Sequence, residues 1–458
     1  MRFDEIGGRF DAWILCIALT LAGLGVIMVA SSSMPFATSN GLGAFHYLNR
    51  HLVFLLLGGV LAAGLMRTEM KRIEQHSQVL LLLCFLLLIA VYIPGIGKTV
   101  NGARRWLNLG VSSFQVVEAV KLLLIIWLAS YLVRFRDVIG NSAMALYKPL
   151  LVAGALIGLL LLQPDFGSSA LLLAITGGMV WLGGARIRNL ALPALAALGL
   201  MSFIVMLEPY RVRRLVSFSN PWADAFDSGY QLVQALIAIG RGDLTGVGLG
   251  GSILKLNYLP EAHTDFIFAV TAEELGFIGV CAIITLFALF TWRALRIGVR
   301  CLEMRLPFGG YCAFGVGLWV SLQALVSMGV NMGILPTKGL TLPLISSGGS
   351  SVLMTCAAVG VLLRVSWELD RAERRHAARV RGDGARSSES FDEGDADPGA
   401  QPYAANAGVR PMLKPSPQLR AGRHRVEPRI EPRIESRNEP RNEVRNEPRN
   451  EPRFGARR

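Results

Sequence analysis

The chain is expected to fold as an all-α polytopic membrane protein with ten transmembrane helices. Three observations lead there. Of its 458 residues, 52% are apolar and only 17% are charged, whereas a soluble domain carries about a quarter charged residues. Mean hydropathy is correspondingly high, at +0.44. Finally, ten apolar runs approach the roughly 20 residues that a span needs, and Lys and Arg gather in alternate connections between them.

The runs lie near 12–31, 48–66, 77–94, 115–133, 148–163, 167–184, 189–207, 266–292, 308–332 and 349–367. The first follows Asp4, Glu5 and Asp11 and is long enough to span, so it reads as an uncleaved helix rather than a signal peptide. Only the turn Gln163-Pro-Asp165-Phe-Gly167 parts the fifth run from the sixth, and merging them would leave nine. Orientation follows from loop charge. Segments carrying Arg67/Lys71/Arg72, Arg134/Arg136/Lys148, Arg186/Arg188 and Arg293/Arg296/Arg300/Arg305 belong in the cytoplasm. Both termini are then cytoplasmic, and the connections at 32–47, 95–114, 208–265 and 333–348 face outward. The organisation is therefore a cytoplasmic N-terminus (1–11), a membrane domain (12–368) with one large extracytoplasmic loop (208–265), and a basic tail (369–458). Leu369 to Arg386 can continue briefly as a helix. From Arg425 to Arg453 an Arg recurs every four residues, and Pro in most repeats opposes a helix, so the tail is expected to be disordered.

The net charge of +13 lies largely between apolar segments and in this tail, which suits membrane orientation and not nucleic acid. The six cysteines are scattered, with no CxxC and no Cys/His cluster, so neither a disulfide framework nor a zinc site is indicated.

Four outward clusters carry chemistry. Lys98-Thr-Val-Asn101-Gly-Ala-Arg104-Arg105-Trp106 suits an anionic head group, because guanidinium forks match phosphate oxygens. An interfacial aromatic belt with snorkelling Arg is the plainer alternative. Glu118 and Lys121 share one helix face within an apolar span, either as a structural ion pair or lining a wet cavity. In the second cluster, Asp165 caps the next helix or serves the site. The third is the long loop, where Gln231 to Ile239 is amphipathic and Gly246, Gly248, Gly250 and Gly251 make a pliant backbone fitting neither a P-loop nor a dinucleotide fingerprint. The fourth runs from Pro336 through Lys338 to Ser346, Ser347, Gly348, Gly349, Ser350 and Ser351. A helix opening on Gly and Ser can seat an oxyanion or phosphate; small residues there can equally serve close packing.

Between the third and fourth stands Asp265, in Tyr258-Leu-Pro-Glu-Ala-His263-Thr-Asp265-Phe-Ile-Phe, where a polar loop meets an apolar helix. An ionisable group at that boundary is a candidate functional site. Thr264 and Asp265 are also suitable helix caps, although a cap leaves Glu261, His263, Glu273 and Glu274 unexplained.

The stretches Asn101-Gly-Ala-Arg-Arg-Trp106, Gln163-Pro-Asp165, Asn220-Pro-Trp222, Ser228-Gly-Tyr-Gln231, Leu259 to Phe268, Glu273-Glu-Leu-Gly276 and Pro336 to Ser346 together resemble the SEDS family over about residues 10–370. Within it, Gly339-Leu-Thr-Leu-Pro-Leu-Ile and Tyr258-Leu-Pro-Glu-Ala look more like the division members than the elongation ones. The resemblance implies a ten-span peptidoglycan glycosyltransferase of the inner membrane that polymerises lipid II on its outer face at the division septum. It implies Asp265 as the essential acid, Glu118 and Lys121 as the polar pair of the fourth span, and Arg104 or Arg105 as the motif arginine. It also implies a class B penicillin-binding protein, the septal transpeptidase, among other division proteins as partners, and a divalent cation, Mg²⁺ or Mn²⁺. Two departures stand out: Gln115-Val-Val-Glu118 lacks the family's Pro, and Ser346-Ser347-Gly348 lacks its Tyr.

On this reading Asp265 is the general base, or else a metal ligand, and undecaprenyl pyrophosphate leaves with inversion at the donor sugar. Arg104, Arg105, Lys121, Lys338, His263, Ser346, Gly348, Gly349 and Ser350 are the expected substrate-binding residues, and Glu118 holds Lys121. A lipid II flippase and a non-catalytic scaffold are the rival classes.

Overall fold

The computed structural model describes residues 7–392 apart from 101, 109, 111, 141, 207–217, 228, 337 and 338. Each expected run finds a helix: Ala12–Ser39, His46–Arg67, Ser77–Ala90, Val116–Arg134, Ala143–Leu162, Phe166–Leu182, Ile187–Met206, Ile267–Glu303, Pro307–Asn331 and Gly349–Asp392. Eight of these are long and apolar enough to cross a membrane, and Ser77–Ala90 and Phe166–Leu182 are shorter. Large side chains such as Leu56, Leu192, Phe203 and Trp292 remain exposed on the helices, as a lipid-facing surface requires.

Val116–Arg134 is the enclosed helix, with nearly every side chain from Val116 to Leu132 buried. Its neighbours in space include Pro307–Asn331 and Gly349–Asp392. His46–Arg67 lies tightly against Gly349–Asp392 because small residues occupy the contact: a Cβ added at Gly360 would stand 2.7 Å from the Ala62 Cα. Without a hydrophobic drive between helices in lipid, such close approach supplies the packing energy.

The structure corrects the purely helical expectation in one place. The connection 95–114 builds a three-stranded antiparallel sheet, β1 (Gly97–Val100), β2 (Ala103–Asn108) and β3 (Ser113–Gln115). Val100 pairs with Ala103 across the turn, where Gly102 takes φ +76°. Asn101-Gly102 is the dipeptide that two-residue hairpins favour, because both central positions need positive φ. The last helix continues as expected through Leu369 to Arg386 and runs on to Asp392. Pairs one turn apart, Arg364 to Glu368 at 2.9 Å and Arg374 to Asp370 at 2.7 Å, support it there. The four-residue Arg repeat lies outside the described residues.

Ile267–Glu303 is broken once, at Gly276, whose φ is 66° and ψ −167°. The chain 243–248 crosses the break and takes up the freed backbone groups. Val247 and Gly248 donate N–H bonds to the carbonyls of Glu273 (3.0 Å) and Glu274 (3.1 Å), and Phe277 donates to Asp243 (2.8 Å). Broken helices survive at membrane depth only when protein satisfies their backbone in this way. A Cβ at Gly276 would lie 2.3 Å from the Gly246 nitrogen, so only glycine fits. The amphipathic stretch forms the helix Tyr230–Arg241, which buries Leu232, Val233, Ala235 and Ala238 and packs on Ile267–Glu303.

Candidate functional site

Asp265 lies two residues before the Ile267–Glu303 helix. That helix is capped at Phe266 with no side-chain bond, so neither Thr264 nor Asp265 caps it. Thr264 donates its hydroxyl instead to Glu261, at 2.6 Å to the carboxylate. Among the described residues, the Asp265 carboxylate accepts no hydrogen bond and joins no ion pair. It is half-buried. Burial, followed by the negative charge of Glu261, pushes its carboxyl group up to about 7. One of its oxygens stands 3.0 Å from where a Cβ on Gly339 would lie, so the carboxylate occupies room that a larger residue at 339 would take.

The backbone under this side chain is held from three directions. The His263 carbonyl accepts from the Ser347 N–H at 3.0 Å. The Thr264 carbonyl accepts from Ser346 Oγ at 2.7 Å. The Asp265 carbonyl accepts from Asn331 Nδ2 at 2.9 Å. Three successive carbonyls are thus fixed by two separate elements, which leaves the side chain placed but uncommitted. The His263 ring packs between Phe36 and Tyr47, with centroids 5.0 and 4.8 Å away. Burial lowers the pKa of its imidazole and favours the neutral form.

Glu118 and Lys121 form a closed pair. Lys121 Nζ donates to Glu118 Oε1 at 2.8 Å and to Gln323 Oε1 at 2.6 Å, and it sits 5.0 Å over the Trp319 ring. Both are enclosed, Glu118 at 3% exposure and Lys121 at 0%. The second Glu118 oxygen is buried with no partner among the described residues. In this arrangement Lys121 is fully buried and engaged by Glu118 and Gln323. The helix starts with Val116 in its first turn, where the family's Pro would sit; proline is tolerated there but not needed.

The other expected residues divide between these groups. Arg104 is exposed, reaching Thr99 Oγ1 at 3.3 Å. Arg105 grips the turn of the second cluster, donating to the carbonyls of Gln163 (3.1 Å) and Pro164 (2.7 Å), with Asp165 at 3.9 Å. Asp165 also caps the Phe166–Leu182 helix through the Ser168 N–H. Ser350 Oγ accepts from the Gln115 N–H at 2.9 Å, which joins the end of β3 to the start of the last helix. Gly349 packs against Phe54, and a Cβ there would approach it to 2.5 Å. Gly348 donates to the Ser346 carbonyl at 2.8 Å. Lys338 lies outside the described residues. The sheet, the Ser346–Ser351 stretch and the Asp265 loop are therefore joined by direct bonds, and Arg105 joins the sheet to 163–165.

Glu273 and Glu274 are structural. Glu273 receives Arg241 at 2.7 Å, Ser252 Oγ at 2.5 Å and the Ile253 N–H at 3.1 Å. Glu274 receives Lys255 at 2.7 Å and Ser31 at 2.6 Å. They clamp the segment 241–255 to the half-helix before Gly276 and so account for the crowding of acids near Asp265.

Sequence reading missed the element that ties the parts together. Trp319, Gln323, Ser327 and Asn331 recur every four residues on Pro307–Asn331, and all four are buried. Gln323 holds Lys121 at one end. Asn331 holds Asp265 at the other and also accepts from the Ala269 N–H at 3.1 Å. Polar residues at that spacing in an apolar helix were the available signal.

The family described as "Cell cycle protein", of FtsW, RodA and SpoVE, matches residues 11–371. The chain is 64% identical over 373 residues to a protein named "Probable peptidoglycan glycosyltransferase FtsW" from Xanthomonas oryzae pv. oryzae, covering 81% of this chain and 76% of that one. It is 48% identical over 367 residues to a protein of the same name from Coxiella burnetii, covering 80% and 99%. Among solved structures, it is similar to a chain described under "Structural coordination of polymerization and crosslinking by a peptidoglycan synthase complex". That match has 30% identity and a TM-score of 0.65, covering 79% of this chain and 98% of the other. The Thermus thermophilus rod shape determining protein RodA matches at 28% identity and a TM-score of 0.58, covering 78% and 96%.

Proposed function

The chain belongs to the cell cycle protein family of FtsW, RodA and SpoVE and is a peptidoglycan glycosyltransferase, and from that premise we propose that it polymerises lipid II with Asp265 as general base. The observation that carries the proposal is the uncommitted Asp265 carboxylate, raised toward neutrality on a loop whose three carbonyls are pinned.

Asp265 takes the proton of the acceptor sugar's 4-hydroxyl as that oxygen attacks the anomeric carbon of the donor. The bond from that carbon to phosphate breaks, undecaprenyl pyrophosphate leaves, and the new glycosidic bond forms with inversion. A base with a pKa near the working pH is suited to this transfer, which contributes about 10²–10⁴-fold in rate. Arg104, an exposed cation of the sheet alongside Lys98, meets the departing pyrophosphate; Arg105 shapes the surface beside it through 163–165. Glu118 and Lys121 act through Gln323 as an internal strut. Ser346 and Ser347 position Asp265 by their bonds to its loop, and His263 offers its neutral ring edge within the Phe36–Tyr47 wall.

No three His, Cys, Asp or Glu side chains converge on a metal position among the described residues. Asp265 is one free carboxylate, which fits Mg²⁺ or Mn²⁺ held jointly with phosphate oxygens of the substrate. Such an ion would supply charge neutralisation at the pyrophosphate.

Ser77–Ala90 and Phe166–Leu182 complete ten spans with the eight longer helices, and both termini lie in the cytoplasm. The protein works in the inner membrane at the septum, beside a class B penicillin-binding protein and other division proteins. That partner is supported by the likeness to a chain of a peptidoglycan synthase complex.

The test is polymerisation of lipid II in detergent by the purified protein with its cognate transpeptidase, wild type against Asp265→Asn. The variant is expected to express and bind its partner but to make no glycan chains. Appreciable polymer from it would refute the base and metal roles together.

A further inference from the structure

On the opposite face of the membrane from Asp265, a cavity of about 200 Å³ lies where three elements meet: the segment before the first helix, the end of Ile267–Glu303, and the cytoplasmic part of the last helix. At 1.5 Å per residue, Arg293 is roughly 40 Å along its helix from Ile267, so this space is separate from the catalytic one. Four guanidinium groups line it, those of Arg9, Arg293, Arg296 and Arg300.

The ionic pairing here is uneven. Arg293 is matched to Asp11 at 2.7 Å. Arg300 stands 3.6 Å from Glu373, with both side chains well exposed. Asp370 accepts from the Arg9 backbone N–H at 2.8 Å and pairs with Arg374 at 2.7 Å. The three carboxylates in the lining are thereby engaged. Arg9 and Arg296 keep side chains with no carboxylate partner among the described residues; Arg296 only overhangs the Trp292 ring, at 5.2 Å. Phe10, Ile297 and Leu369 add apolar side chains to the lining. Phe10 and Trp292 remain 42% and 54% exposed, as aromatic residues at a lipid interface are.

We infer that this cavity binds the phosphodiester head group of an anionic phospholipid from the inner leaflet. Two free guanidinium groups match phosphate oxygens in the bidentate manner that Arg favours. The apolar side chains accept the glycerol backbone and the upper acyl carbons. Basic pockets between helices on the cytoplasmic side are where anionic head groups lodge, since that leaflet carries the negative charge. Arginines placed only for orientation would snorkel singly into solvent and leave no shared, partly apolar space. The bound lipid joins the N-terminal segment to the helix that presents Asp265 and to the last helix.

The experiment is native mass spectrometry of the purified full-length protein with phosphatidylglycerol or phosphatidylcholine of matched chains. Wild type is expected to retain one phosphatidylglycerol per chain with at least tenfold preference over phosphatidylcholine. Arg9→Gln/Arg296→Gln is expected to lose that preference while its melting temperature in phosphatidylcholine is unchanged. Arg188→Gln, which removes a cytoplasmic charge elsewhere, is expected to keep it. Equal retention of both lipids by wild type, full retention by the double variant, or an equal loss in Arg188→Gln would each overturn the assignment. So would displacement of the lipid by millimolar inorganic phosphate, which marks a simple anion site. The readout is binding alone and does not depend on polymerisation or on the role of Asp265.

Discussion

Asp265 joins a carboxyl group held near neutrality to a backbone with little freedom to move. Two consequences follow for pH. As a base it must be ionised, so polymerisation is expected to rise as pH passes through about 7 and to level off above it. Stability runs the other way. A free aspartate titrates near 4, whereas this one titrates at about 7 in the folded chain. The folded state thus holds the extra proton, and the stability linked to it is full below the unfolded pKa and lost as pH rises through 7. Asp265→Asn escapes that loss. Melting temperatures of both proteins at pH 5 and pH 8 should show the variant gaining on wild type at the higher pH; an equal gap at both would contradict the raised pKa. Asn331 is the second residue to test. Its removal frees the Asp265 carbonyl and the Ala269 N–H, and small misplacements of a reacting group can cost about 10²-fold. Asn331→Ala is expected to lower kcat roughly tenfold or more with KM for lipid II little changed. A variant that loses melting temperature but keeps kcat per folded molecule would reduce Asn331 to a packing role.

At the level of elements, the broken helix and the striped helix decide how the site is held. Gly276 takes a positive φ and admits no Cβ against Gly246. Gly276→Ala is expected to expel the 243–248 crossing, seen as faster amide hydrogen exchange at Val247 and Gly248 and a melting temperature lower by several degrees. Unchanged exchange there would show that the crossing does not depend on glycine. The Glu273-Glu-Leu-Gly276 motif was visible in the sequence, but its meaning was not. The two acids clamp the loop and the glycine breaks the helix, and both partners lie some 20–30 residues earlier in the chain, at Asp243 to Lys255. The stripe on Pro307–Asn331 was hidden for a related reason. Gln323 and Asn331 look like isolated polar residues in an apolar run until Lys121 and Asp265, 202 and 66 residues away in sequence, arrive against them.

Across the whole molecule, the membrane sets the frame. The proposed outward placement of the sheet and the Asp265 loop predicts a labelling pattern. With the native cysteines replaced, Asn257→Cys should react with a membrane-impermeant maleimide from outside, and Arg188→Cys should react only after permeabilisation. The reverse pattern would put Asp265 on the wrong side for a lipid-linked substrate on the outer face. The sequence by itself determined ten helical segments and a boundary acid, because a span must be long and apolar enough to bury its backbone in hydrocarbon. The Asn101-Gly102 dipeptide is a hairpin-turn signal in the sequence itself. Tertiary structure alone decided which polar residues were spent and which were free. Lys121 and Arg105 are both expected substrate-binding residues; in the fold Lys121 is held by Glu118 and Gln323, and Arg105 by the carbonyls of Gln163 and Pro164. Whether a charge is satisfied depends on what folds against it, and in a low-dielectric bundle the pairing that removes an unpaired charge prevails. Asp265 is distinguished by the absence of such a partner among the described residues.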